Sequence, residues 1–312
     1  MRLFSFKTDA DTEWRAGIQT AGGIADLRAA LELTGHRPDW QTPRTVLELL
    51  ACTPPAALQG LDSEVQHHAG ELHEGVSVFA LDSIHLGPPV PNPEKIICLG
   101  LNYRDHAEEA GLSAPQTPMF FAKFANSLIG PTDAIVVPPA AAAEVDYEAE
   151  LAVVIGREAA RLSTSEAMSC LAGVMVFNDV SARDRQLANA LWTGGKAVDT
   201  FGPCGPALVT LDEIGDVMNL PVRTRVNGEL VQDGTTADMI FSVAETIAFL
   251  SQIMTLRPGD IIATGTPAGV GNARTPKLFL HEGDIVEVEI DRVGRLHNPV
   301  TAEAPQVSEG ER

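Results

Sequence analysis

The stretch that most restricts the fold is EVDYEAELAVVIG, residues 144–156, because its two halves obey opposite rules. Alternate residues of a β-strand share a face, so Glu144, Asp146, Glu148 and Glu150 would set four carboxylates on one side. The apolar run that follows reads as buried. Uncompensated, the repulsion and desolvation of acids carried into such a strand would be severe.

Short β-rich runs of the same kind recur from residue 95 onward: KIICLGL, ELAVVIG, GVMVFNDV, PALVTL, DIIATG and DIVEVEI. RVNGELV reads as a hairpin turning at Asn227-Gly228. SVAETIAFLSQIMTL is the one strong amphipathic helix, stopped by RPGD. Before them, residues 1 to about 85 alternate strand-like and helical pieces, and HLGPPVPNPEK reads as an extended connector, since proline neither continues a helix nor sits in a central strand. A length of 312 residues allows two domains on a prior of roughly one per ~150 residues. The expectation is an α+β, predominantly β chain: a small N-terminal α/β domain over 1–90, a catalytic domain over 91–300 and a flexible tail over 301–312.

The balance of 22 Lys and Arg against 42 Asp and Glu, a net charge of −20, argues against nucleic acid as a partner. It also repels small anions, so an anion site needs a local group of basic side chains. No segment reaches the ~18 apolar residues of a membrane helix, and the N-terminus lacks a sustained apolar leader. Cys52, Cys98, Cys170 and Cys204 show neither CxxC nor disulfide-framework spacing, which fits a reducing compartment. The expected location is the cytoplasm.

Glu148 and Glu150, at i and i+2, would project from one face close enough to bind one hard cation; the alternative is a solvated strand end. Asp179 ends the buried-looking strand GVMVFND, with capping of the following segment as its other reading. Three carboxylates without Cys or His favour Mg²⁺ or Mn²⁺ over Zn²⁺; Ca²⁺ is the further hard cation such a set admits. In GLNYRDHAEEAG, Asn102 reads as an N-cap, Asp105 stands at the capping-box position and Gly111 can end a two-turn helix. A helix that short is marginal alone, so it suits a lid. His106 and Glu109, at i and i+3, share a face, where the carboxylate can fix the imidazole tautomer; an ordinary surface contact is the other reading. Lys123 and Lys196 sit in apolar, Gly- or Pro-flanked settings and could pair with a substrate carboxylate or oxyanion, against the reading of a snorkelling surface lysine. ATGTPAGVG offers Thr266 and close backbone approach but lacks the GK[ST] of a phosphate loop.

Taken in order, GLNYRDHAEEAG, DYEAELAVVIG, FNDVSARDRQ, GGKAVDTFGPCGP and ATGTPAGVG resemble the fumarylacetoacetate hydrolase family, over roughly residues 95–288. The resemblance implies a β-rich roll that dimerises, with Glu148, Glu150 and Asp179 as Mg²⁺ ligands. In the acylpyruvate hydrolase and oxaloacetate decarboxylase branch it implies His106 and Glu109 as the lid dyad and Lys196 as a substrate contact. It further places Gln186 and Thr266 at the pocket and gives Asp146 a supporting role; Lys123 and Gly265 are the other candidate substrate contacts. Fumarylacetoacetate hydrolase proper carries another acid shortly before its His; here CLGLNYRD has none until Asp105, which points away from fumarylacetoacetate as substrate.

The expected chemistry is cleavage of a carbon–carbon bond in an acylpyruvate or related small anionic 2,4-dioxo acid, with the metal stabilising the enolate and His106 activating water. Decarboxylation or isomerisation on the same site is the alternative within the enzyme class. A non-catalytic metal-binding relative is the alternative outside it.

Overall fold

The computed structural model describes residues 1–34, 43–73, 77–138 and 144–303. Its centre is the antiparallel pair Ala149–Ile155 and Leu171–Asn178, in which every residue is buried. The reason lies on both sides of the strand. Leu151, Val153 and Ile155 enter one apolar core while Ala152 and Val154 enter a second. A strand clamped between two cores needs apolar residues at every position, which accounts for the unbroken run.

Twelve strands form the sheet that contains this pair. On one side follow Ile261–Ala263, Ile96–Gly100 and the edge strand Met119–Lys123. On the other lie Gly202–Val209 and then the N-terminal strands Arg2–Lys7, Arg15–Thr20 and Gly23–Asp26. The join is antiparallel, with Arg2 opposite Val209 and Leu3 opposite Leu208. The N-terminal strands therefore continue the central sheet, and Leu3, Ile18, Leu49 and Leu58 share a core with Val154, Phe177 and Ile261.

A second, five-stranded sheet runs Glu229–Thr235, Pro221–Val226, Ile285–Ile290, Gly294–Ala302 and Ile135–Val137. Its hairpin turns at Asn227 and Gly228, both at positive φ (51° and 84°), as a type I′ turn requires. Gly294–Ala302 extends pairing to Thr301 and Ala302, two residues into the stretch expected to be a tail; residues 304–312 lie outside the described ones. The expected amphipathic helix is Val243–Ile253, with Ser242 and Glu245 closing a reciprocal capping box. Among the described residues no helix is long and apolar enough to cross a membrane.

Because Leu3 is fully buried in the core shared with the central strands, Leu3→Ala is expected to destabilise the whole chain by about 2–5 kcal/mol. Urea unfolding followed by tryptophan fluorescence and by circular dichroism should show the two signals shifting together. Loss of one signal well before the other would contradict a shared core.

Candidate active site

Strand register builds the site. Glu150 lies opposite Phe177, so two residues further along each antiparallel strand Glu148 faces Asp179, and the Asp179 N–H donates to the Glu148 carbonyl at 2.9 Å. Oxygens of Glu148, Glu150 and Asp179 lie within 4.8 Å of one another, and all three residues are buried. Of the four alternating acids, Asp146 is also buried, but it belongs to a separate two-residue strand and turns to Arg183; Glu144 is only half-buried. The four carboxylates therefore do not form one row, because the chain leaves strand pairing at Tyr147 and Glu148.

Three cations offset the acids. The Lys196 ammonium bridges Glu148 Oε2 and Asp179 Oδ2 at 2.7 Å each. Lys123 donates to Asp179 Oδ1 at 2.7 Å and to the Val180 carbonyl at 3.3 Å. Arg183 donates through Nε to Asp146 and through Nη2 to Glu148 at 2.6 Å each, and through Nη1 to Gln186 Oε1 at 2.8 Å. Neither lysine snorkels to the surface, and Gln186 holds the arginine.

The carboxylates divide under these fields. Burial pushes Glu148 up, but Lys196 and Arg183 outweigh it and hold the acid well below the usual carboxylate range. Burial, reinforced by Asp179 and Glu148, pushes Glu150 well above that range. Glu150 Oε2 accepts the Gly265 N–H at 2.9 Å, while its buried Oε1 has no partner among the described residues. A buried carboxylate oxygen left bare beside two further acids is the feature that fits a hard divalent cation. The three carboxylates would hold it, and they supply the oxygen donors Mg²⁺ and Mn²⁺ prefer.

The loop after Ile261–Ala263 closes one wall. Gly265 and Gly269 adopt positive φ (91° and 102°), and a Cβ on Gly269 would lie 2.2 Å from the Val231 carbonyl oxygen. The loop's amides meet the acids of the short helix Arg104–Glu109: Ala268 N–H donates to Asp105 Oδ2 at 3.2 Å, and Gly269 N–H to Glu109 at 3.0 and 3.1 Å. Burial pushes Glu109 up, but His106 beside it and then the Gly269 N–H outweigh burial and hold it below the ordinary range. His106 Nδ1 stands 3.6 Å from Glu109 Oε2, beyond a hydrogen bond, yet close enough to Glu148 for its charge to bear on that acid.

Asn102 does not cap this helix. The N-cap is Tyr103, and the Asn102 amide instead donates to the Phe241 and Thr264 carbonyls and accepts the Phe241 N–H. Its buried side chain ties three chain segments together, a demand stronger than that of a surface helix end. Gly111 ends the helix region at φ 68°, as expected.

Residues 95–301 match the family described as fumarylacetoacetate (FAA) hydrolase, C-terminal. The mitochondrial oxaloacetate tautomerase fahd2 of Xenopus laevis is 42% identical over 96% of this chain and 90% of its own length. The fumarylacetoacetate hydrolase domain-containing protein 2 of Pongo abelii is 48% identical over 96% and 91%. Maleylpyruvate hydrolase from Sphingobium sp. SYK-6, solved in complex with manganese(II) ion and pyruvate, superposes with a TM-score of 0.76 at 32% identity, covering 97% of this chain and all of that one. The chain belongs to the fumarylacetoacetate hydrolase family, a family of enzymes. The cytoplasmic expectation does not survive, because close relatives are named as mitochondrial proteins. Unpaired cysteines separate reducing from oxidising compartments, not one reducing compartment from another.

Sequence reasoning passed over Arg183 and Gln232. A pointer to Arg183 was present in VSARDRQ, since a buried acid cluster demands a buried base nearby. Gln232 had no such pointer, because a strand bulge sets its phase.

Glu150→Gln and Asp179→Asn should each weaken Mn²⁺ binding by more than the roughly 10–100-fold that loss of an outer partner costs, with calorimetry as the readout. Unchanged affinity in both would remove the metal centre. Because Glu150 holds its proton above the usual range and a bound cation must displace it, Mn²⁺ affinity should rise with pH by up to about tenfold per unit until Glu150 has ionised. The same titration should show proton release into buffers of differing ionisation enthalpy. Affinity flat with pH contradicts it.

Proposed function

We propose that this chain is a divalent-metal-dependent enzyme, served by Mg²⁺ or Mn²⁺, that interconverts the keto and enol forms of a small dianionic 2-oxo acid of the oxaloacetate type. The observation that carries the reading is the buried trio Glu148, Glu150 and Asp179 with one carboxylate oxygen bare. Relatives 39–42% identical over 96% of the chain, named oxaloacetate tautomerases, support the choice of reaction.

Tautomerisation takes a proton from C3 of the acid and places one on the 2-oxo oxygen, so nothing is consumed. Glu148, Glu150 and Asp179 would hold a divalent ion there, and its positive charge would stabilise an enolate of the substrate. His106, unpartnered at Nδ1 and beside the site, is the group able to accept a proton and return it. Two of the three ammonium donors of Lys196 are engaged with Glu148 and Asp179, which leaves one for a substrate oxygen. Lys196 also lies 5.2 Å from the centre of the Phe121 ring, whose bulk shields that end from water. Glu109 stands between the Gly269 N–H and the His106 ring, so it holds the imidazole at the loop, and a proton shuttle needs no activated water besides.

A second reading is hydrolysis of an acylpyruvate. It is favoured by the separation of only 3.6 Å between His106 and Glu109 and by the likeness to maleylpyruvate hydrolase.

The test follows the ultraviolet absorbance of enol-oxaloacetate, with pyruvate release and acylpyruvate cleavage measured in parallel, before and after chelation. Metal-dependent tautomerisation is expected, falling by about 10²–10⁴-fold in His106→Ala. Full rates in metal-stripped protein would sink the metal reading. Acylpyruvate cleavage far outrunning tautomerisation would replace the first reading with the second.

A further inference from the structure

The hairpin singled out in the sequence delivers a side chain into the site from the other sheet. Along Pro221–Val226, Thr224 pairs with Gln232 and Arg225 with Leu230, so Val231 is an extra residue and the strand bulges there. The bulge breaks strict alternation. Val231 and Gln232 are consecutive and both buried, and Gln232 is 1% exposed.

All four hydrogen-bonding positions of the Gln232 amide are used. Its Oε1 accepts from the Ala149 N–H at 3.0 Å and from the Thr224 hydroxyl at 2.8 Å. Its Nε2 donates to Thr266 Oγ1 at 2.8 Å and to the Pro267 carbonyl at 2.9 Å. A backbone N–H can only donate and a carbonyl can only accept, so Ala149 and Pro267 together exclude the flipped amide. Thr266 Oγ1 is thus committed as an acceptor towards Gln232, and its own proton has no acceptor among the described residues. Thr266 follows Gly265, whose N–H is on Glu150, and precedes Ala268 and Gly269, whose N–H groups are on the helix that carries His106. The uncommitted O–H therefore belongs to the loop between the carboxylate trio and His106, where a hydrogen bond to an anion is worth most.

We infer that Gln232 is a positioning residue of this site: it fixes the Thr266 hydroxyl as a donor to the carboxylate of the bound acid. The inference rests on the 2-oxo acid class proposed above. Gln232 also holds the amide of Ala149, which lies between two of the metal-holding carboxylates, so effects on metal and on anion must be read separately.

Gln232→Glu keeps the accepting oxygen and the size of the side chain but replaces the donor with an oxygen that can take the Thr266 proton. Thr266→Val removes the hydroxyl at nearly constant shape. The probe is oxalate, an unreactive chelating dicarboxylate, titrated calorimetrically into Mn²⁺-loaded protein, with Mn²⁺ affinity measured first. Oxalate affinity is expected to fall by about tenfold or more in either variant, with Mn²⁺ affinity within about twofold of the parent. Thr266→Ser should restore most of the loss, and the double variant should bind no more weakly than Thr266→Val alone, since both changes remove one bond. Oxalate binding unchanged in Gln232→Glu, or losses that add in the double variant, overturns the inference. Should Gln232→Glu fail to fold, wild-type oxalate affinity in Thr266→Val overturns it equally. Parent protein that binds Mn²⁺ but no oxalate defeats the 2-oxo acid reading and this inference with it.

Discussion

Everything at the centre of this molecule depends on cancelling negative charge where water cannot reach it. Asp146, Glu148, Glu150 and Asp179 are buried together, and Lys123, Arg183 and Lys196 are buried against them. Four acids against three bases leave one surplus negative charge, and it bears most on Glu150, which burial, Asp179 and Glu148 push well above the usual carboxylate range. A doubly charged ion held by Glu148, Glu150 and Asp179 would more than offset that surplus. In a chain whose net charge is −20, such an offset is what the proposed anionic substrate would require.

The same economy governs the walls. Asp105, Glu109 and one oxygen of Glu150 take backbone N–H groups from the loop through Ala268, Gly269 and Gly265, so amides hold what the lysines and arginine do not reach. The short helix holding His106 is thereby tied to the loop holding Thr266, and Asn102 ties the start of that helix to the opposite end of the same loop. A two-turn helix too short to persist alone is kept in place by what it grips.

Much of this was legible in the sequence wherever local chemistry and tertiary demand agreed. The grouping of Glu148 and Glu150 with Asp179 just past its strand, the Asn227-Gly228 turn and the capped helix at Ser242 can each be read within a few residues. Legibility failed where a residue answers to a distant partner. Asn102 has the chemistry of a cap but is recruited by Phe241 and Thr264; Lys123 resembles a surface lysine until Asp179 is folded against it. Gln232 is concealed by a bulge, which shifts the inward phase of the strand by one residue and cannot be read from alternation.

The antiparallel join of Arg2 and Leu3 to Val209 and Leu208 bears on how the chain can be divided. Cutting at the proline-rich connector would leave the C-terminal portion with a naked strand edge and a stripe of aliphatic side chains open to water, a surface prone to self-association. The opening segment thus acts as the sealing margin of the family-matched portion, and shortening the protein to residues 95–301 would favour aggregation.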